Sequence, residues 1–266
     1  MPREESVEQP GSVEHPHRLR GEYMGVNEIH AKLYKPVQTL FSHKDVHGLH
    51  IALDIASFKA RAFRSDAPQH FRPDVDCRYG FKAVLTKLLS FWSTAVGNPA
   101  HLHVVLDDAR FPLKAAEHAR RSDGKTFETR LEAAIDTDVN GNVKDADSLY
   151  KELSMVACPP LVDAWIIAHC RRYGYIVHVA PCEADSMCGR MALDGDADAI
   201  VSYDGDLGVY KGVTHLIIAD AGIGKQGQYW HVYPERDIVG CVIGKLDLRR
   251  WTPFDLRTVS CAAGTD

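Results

Sequence analysis

The chain has 266 residues, of which 45% are hydrophobic and 25% charged, with a formal net charge of −5. That is enough apolar material for one large domain or two small ones. The acidic balance is not the basic one usual in nucleic-acid binders, although a basic face can coexist with an acidic metal site. No stretch approaches the ~20 apolar residues that a membrane span needs.

The opening residues, MPREESVEQPGSVEHPHRLRGEY, lack the apolar segment of a secretory signal, and Glu4, Glu5, Glu8 and Glu14 do not suit an organelle transit peptide. Low hydrophobicity and prolines make residues 1–23 an expected disordered extension. Apolar, β-rich runs then recur at 49–55, 101–106, 175–180, 199–202, 215–219 and 229–233. Several are near-continuously apolar, as strands covered on both faces are. Between them, residues 79–96 place Phe81, Val84, Leu85, Leu88, Leu89, Trp92 and Val96 on one helical stripe. Residues 160–173, opening after Pro159-Pro160, and 183–194 also read as helices. This alternation predicts an α/β sandwich on a mainly parallel sheet, in one domain from residue 24 onward. The seven cysteines (Cys77, Cys158, Cys170, Cys182, Cys188, Cys241 and Cys261) are scattered without a CxxC, and the fourteen histidines form no HExxH. Both patterns fit reduced thiols in a nuclear or cytoplasmic setting, not a disulfide frame or a zinc site.

The strands have one feature in common: acids follow them. IALDIA carries Asp54, HLHVVLDD ends in Asp107 and Asp108, YIVHVAPCEAD leads to Glu183 and Asp185, and AIVSYDGD ends in Asp204 and Asp206. In a parallel α/β sheet the carboxyl ends of the strands share one edge, where ligands bind. Carboxylates crowded there repel one another and take up protons unless a cation offsets the charge. Mg²⁺ or Mn²⁺ suits an all-oxygen ligand set, and two such ions can hold a phosphodiester for in-line attack by water. The alternative is that each acid is a helix N-cap or a turn former. Gly205, between Asp204 and Asp206, lets the backbone turn so that both carboxylates can face one site.

The string APCEADSMCGRMALDGDADAIVSYDGDLGVYKG resembles the internal region of the flap endonuclease/XPG-type structure-specific 5′ nucleases. MGVNEIHAKLY at 24–34 is similar to the amino-terminal Met-Gly-Ile motif of that family. IALDIASF and VVLDDARFPLK resemble its first two catalytic strands, and DLRTVSCAAGTD the approach to its Gly-x-Asp. The resemblance runs in order over about residues 24–266. It implies a PIN-like three-layer sandwich with a helical arch insertion: an N region at about 24–125, an arch at about 112–158 and an internal region at about 159–266. It implies two Mg²⁺ ions, replaceable by Mn²⁺, held by Asp54, Asp107, Glu183, Asp185, Asp204, Asp206 and Asp266. Asp108 is then a turn residue. Lys114 and Arg121, which share a helix face with His118, are implied to reach the scissile phosphate as catalytic and substrate-binding groups. Gly25 is implied to bind substrate. The implied partner is DNA with a 5′ flap or junction, in replication or repair, with RNA left open.

The chain departs from the family pattern in several places. Twenty-three residues precede Met24-Gly25, and Ala60 stands where flap endonucleases carry a base-stacking aromatic, with Phe58 and Phe63 nearby. The family's helix-two-turn-helix segment lies beyond the position matched by Asp266, so either the sequence is a fragment or duplex grip is expected to come from elsewhere, and Asp266 as its last residue is expected to fray. The segment DTDVNGNVKDAD puts Asp136, Asp138, Asn140, Asn142 and Asp147 in an EF-hand-like order. It is therefore a candidate Ca²⁺ loop, with an Asx-rich turn between two helices as the alternative. Two functions stay open: a two-metal 5′ nuclease, or a nuclease-like scaffold that binds RNA or protein without cutting. A phosphatase on a similar sheet lacks support, because Asp54 is followed by Ile55-Ala56 instead of completing a DxD nucleophile motif.

Overall fold

A computed structural model of the chain describes residues 33–65, 80–107, 127–156, 160–181, 183–219, 229–239, 241–243, 246–255 and 258. In chain order the strands are β1 (Thr39–Leu40), β2 (Ile51–Asp54), β3 (Leu102–Asp107), β4 (Ile176–Ala180), β5 (Ala199–Ser202), β6 (Leu216–Ala219), β7 (Tyr229–Val232), β8 (Val242–Ile243) and β9 (Leu246–Asp247). The helices are α1 (Ile55–Ser65), α2 (Gly80–Val96), α3 (Phe127–Val139), α4 (Val143–Val156), α5 (Pro160–Tyr173) and α6 (Ala184–Asp194). A seven-stranded sheet runs in the order β1-β7-β6-β5-β2-β3-β4. Strands β6, β5, β2, β3 and β4 run parallel to one another, and β7 is antiparallel to both β6 and β1. Strands β8 and β9 form a separate hairpin.

The near-continuous apolar runs have a simple cause, since the sheet is covered on both faces. Ile51 and Leu53 of β2, Leu102, Val104 and Leu106 of β3, and Val201 of β5 enter one core, which α1, α2 and α5 close. Ala52, Val105 and Ile200, the alternate residues of the same strands, enter a second core beneath α6. A strand with both faces buried has no polar side to alternate with. The result is three layers, as the sequence predicts. The helical stripe on 79–96 also forms as expected: Phe81, Leu85, Leu88, Leu89, Trp92 and Val96 are all buried, with Val84 partly so. Phe58 is fully buried in the same core and is therefore not available to stack on a base, while Ala60 lies on α1.

Strand β2 is shorter than the 49–55 run suggests, because helix α1 begins at Ile55 immediately after Asp54. The two-residue strands β1, β8 and β9 are too short to leave a periodic signal in the sequence. Among the described residues, no helix is long and apolar enough to cross a membrane.

The EF-hand-like reading of residues 136–147 does not survive. An EF-hand needs a 12-residue irregular loop. Here Asp136 and Asp138 lie on α3, Asp147 lies on α4, and the turn is reduced to Asn140-Gly141-Asn142. Gly141 takes the left-handed conformation (φ +78°) at that turn, and the Asn142 amide donates to Asp145. Helix spacing wins because Ala146, Tyr150 and Leu153 share one face and bury themselves against Ala134 and Leu131. The Tyr150 hydroxyl donates to Asp138 at 3.4 Å. Asp136, Asp138, Asn140, Asn142 and Asp147 thus belong to a helical hairpin, which packs through α4 on α1.

Trp92 is the largest fully buried side chain and meets Phe41, Phe91 and Tyr229 with ring centroids at 5.1, 5.2 and 4.9 Å. It ties α2 to the strand β7 side of the sheet. Trp92→Ala is expected to lower stability by about 3–5 kcal/mol, read from the shift of the urea unfolding midpoint at unchanged slope.

Candidate active site

The strand order reverses at β2. The chain passes from β2 outward to β3 and β4, then returns to the opposite side of β2 as β5. This reversal opens a crevice beyond the carboxyl ends of β2 and β5, the usual ligand position in such sheets. Asp54 is the last residue of β2 and Asp204 follows β5 by two residues, so both border the crevice. Asp107 ends β3, and Glu183 and Asp185 open α6 after β4.

Each acid has a local reason for its place. Asp54 is 2% exposed, and its Oδ1 accepts from the N–H groups of Ala56 (3.1 Å) and Ser57 (3.4 Å), which caps α1. Its Oδ2 accepts from the Ser202 hydroxyl at 2.6 Å, and that hydroxyl oxygen accepts in turn from the Asp204 N–H at 2.9 Å. Asp204 caps the 3-10 turn Gly205–Val209 by accepting from the Asp206 N–H at 3.0 Å. Asp107 accepts from the Ala184 N–H at 2.7 Å and so caps α6 from a neighbouring strand, whereas Glu183, at the N-cap position itself, makes no side-chain cap bond. The cap reading of Asp54 and Asp204 is therefore correct as far as it goes.

Capping does not explain the electrostatics. The Asp185 carboxyl is pushed up to about 8, first by burial and then by the charges of Asp54, Asp204, Asp107 and Glu183. Asp54 is pushed up to about 6 by burial, with Asp107 adding to the rise and the hydroxyls of Ser202 and Ser57 opposing it. The Cys188 thiol is raised by burial and by Asp54, Asp185 and Asp107. Acids delivered by four strand ends are thus close enough to repel one another through a poorly solvated site. Such all-carboxylate surroundings match a hard divalent cation in donor type. Among the described residues, however, no three His, Cys, Asp or Glu side chains are set to hold one ion between them, and several acids are turned toward protein N–H and O–H donors.

Gly25, Asp108, Lys114, Arg121 and Asp266 lie outside the described residues. Two contributors escaped the sequence reading. Ser202 joins Asp54 to the Asp204 turn across the β2–β5 crevice, and the Ser57 hydroxyl donates to the Asp54 carbonyl (3.1 Å) while accepting from the Tyr203 N–H (3.5 Å). The signal available for Ser202 was a hydroxyl at the end of an otherwise apolar strand, two residues before the acid.

No family model matches the sequence, and no curated protein matches it. Solved structures do. The catalytic core of Rad2 in complex with DNA substrate superposes with a TM-score of 0.51 at 14% identity, covering 76% of this chain and 52% of that one. A second Rad2–DNA complex gives 0.51 at 12% identity, covering 86% and 59%. Human GEN1 in complex with Holliday junction DNA gives 0.46 at 18% identity, covering 79% and 44%. The chain spans about half the length of these structures. At such identities the likeness is one of fold: the described α/β sandwich shares its fold with the catalytic core of Rad2.

The crowded carboxylates predict an unusual pH dependence. Asp185 has a folded-state value of about 8, above its unfolded one, so the folded chain holds an extra proton and loses stability as pH rises toward 8. Buried histidines work the other way: His103 and His215 fall to about 4, and their effect is largely complete above their unfolded value near 6.5. Between pH 6.5 and 8, in chelator, the urea midpoint is expected to fall with rising pH. Asp185→Asn is expected to flatten that fall. A midpoint that rises with pH over this window in the unmodified chain contradicts the crowding.

Proposed function

We propose that the chain is a divalent-metal-dependent, structure-specific 5′ nuclease that hydrolyses DNA phosphodiesters, with a place in DNA replication or repair. The observation that carries this reading is the gathering of Asp54, Asp107, Glu183, Asp185 and Asp204 at one sheet edge, where their mutual repulsion raises the Asp185 carboxyl. The fold shared with the DNA-bound Rad2 core supports it. Asp54, Asp107, Glu183, Asp185, Asp204 and Asp206 would hold Mg²⁺ or Mn²⁺, with Asp266 as a further carboxylate.

Bound there, such ions supply charge neutralisation and activation of water for in-line displacement at phosphorus. The chain's own contribution is positioning. Ser202 and the N–H groups of Ala56 and Ser57 fix the Asp54 carboxylate, and the Ala184 N–H fixes Asp107. Burial of Asp54 keeps water away from one side of the site and strengthens every charge interaction within it. In this reading Lys114 and Arg121 approach the scissile phosphate and offset the negative charge that grows on it, and Gly25 lies against the substrate. The Rad2 structures hold DNA, which makes a flap or junction the first substrate to test.

The alternative reading is a nuclease-like scaffold that binds RNA or protein without cutting. It is favoured by the absence, among the described residues, of three acids set around one ion. One assay separates the two. A 5′-labelled flap duplex incubated with the chain and Mg²⁺ is expected to be cleaved near the junction, and Asp204→Ala/Asp206→Ala is expected to lose at least about 100-fold in rate. No cleavage by the folded parent chain above that control contradicts the nuclease and favours the scaffold.

A further inference from the structure

The turn that carries Asp204 and Asp206 is gripped from two directions. Tyr34 is fully buried in the core beneath α6, and its phenol lies against Gly208 of the 3-10 turn Gly205–Val209. A methyl group at position 208 would overlap the Tyr34 hydroxyl and stand 2.8 Å from its Cζ, with Leu216 Cδ2 at 3.2 Å. Gly208 therefore admits no side chain, because the phenol occupies that space. On the α6 side, a methyl at Gly189 would meet the Tyr210 ring at 2.5 Å, and one at Gly212 would meet the Leu193 Cα at 2.6 Å. Three glycines thus close the gaps between the Asp204 turn, the Tyr34 ring and the helix that bears Asp185.

We propose that Tyr34 is a positioning residue for the metal-holding acids: its phenol, wedged against Gly208, sets where Asp204 and Asp206 stand relative to Asp54 and Asp185. The buried ring sets the height of the turn through its contact with Gly208. Removing the hydroxyl leaves the ring in place and loosens only the contact with the turn. Adding a methyl at Gly208 pushes the same contact apart.

The inference rests on the proposed metal site, and its test separates the two. The probe is Mn²⁺ alone, titrated into the full chain and followed by the loss of the free-ion electron paramagnetic resonance signal. Tyr34→Phe is expected to keep the circular dichroism of the parent and to weaken Mn²⁺ binding by about tenfold, as outer-shell changes do. Gly208→Ala is expected to weaken it in the same direction. Leu89→Ala, in the core on the other face of the sheet, is expected to lower the melting temperature and leave Mn²⁺ affinity unchanged. Parent-like affinity in folded Tyr34→Phe overturns the role of Tyr34 while leaving the metal site standing. Equal weakening by Leu89→Ala also overturns it, because the effect is then one of general stability. A parent chain that binds no Mn²⁺ overturns the metal site, and the role of Tyr34 with it.

Discussion

Like charge at the carboxyl edge of the sheet is the constraint on which the rest of this structure turns. Asp185 is half-buried beside Asp54, Asp204, Asp107 and Glu183, and this crowding pushes its carboxyl up toward the protonated form near neutral pH. The fold tolerates this because each acid also has a structural duty. Asp54 caps α1 and binds Ser202, Asp107 caps α6, and Asp204 caps its own turn. The carboxylates are therefore held in place by hydrogen bonds within the protein, and in the proposed function a bound cation would offset their mutual repulsion. Capping and metal binding are compatible here, since a carboxylate that accepts through one oxygen keeps a second.

The topology makes this possible. Parallel strands β2, β3, β4 and β5 all end at the same edge, and the reversal at β2 leaves a crevice between Asp54 and the Asp204 turn. Ser202 spans that crevice with one hydroxyl, accepting from the Asp204 N–H and donating to Asp54. Helix α6 is then seated by glycine contacts with the 205–212 segment, so that the acid it carries cannot drift relative to the turn. Both cores contribute to this rigidity: the sheet is packed on both faces and cannot tilt to relieve the charge.

Much of this was legible in the sequence, for identifiable reasons. Doubly buried strands leave unbroken apolar runs, and the Phe81-to-Val96 stripe is long and periodic, so sheet and helix placed themselves. The acids stood out because each follows such a run directly. What stayed hidden depends on contacts between distant segments. Ser202 and Ser57 are ordinary hydroxyls until β2 and β5 are neighbours, and Tyr34 is one aromatic among many until it meets Gly208. The two-residue strands carry no period at all. The Asp136–Asp147 segment misled because spacing of acids resembles a calcium loop, whereas the apolar face of Ala146, Tyr150 and Leu153 had already committed half of it to helix α4.

The central claim is that these carboxylates exist to hold divalent cations. Calorimetric titration of the full chain with Mn²⁺ at pH 7, repeated in buffers of different ionisation enthalpy, measures both binding and the protons it releases. With Asp185 near 8, binding is expected to expel roughly one proton per chain. Binding without proton release, or no binding at all, contradicts the account.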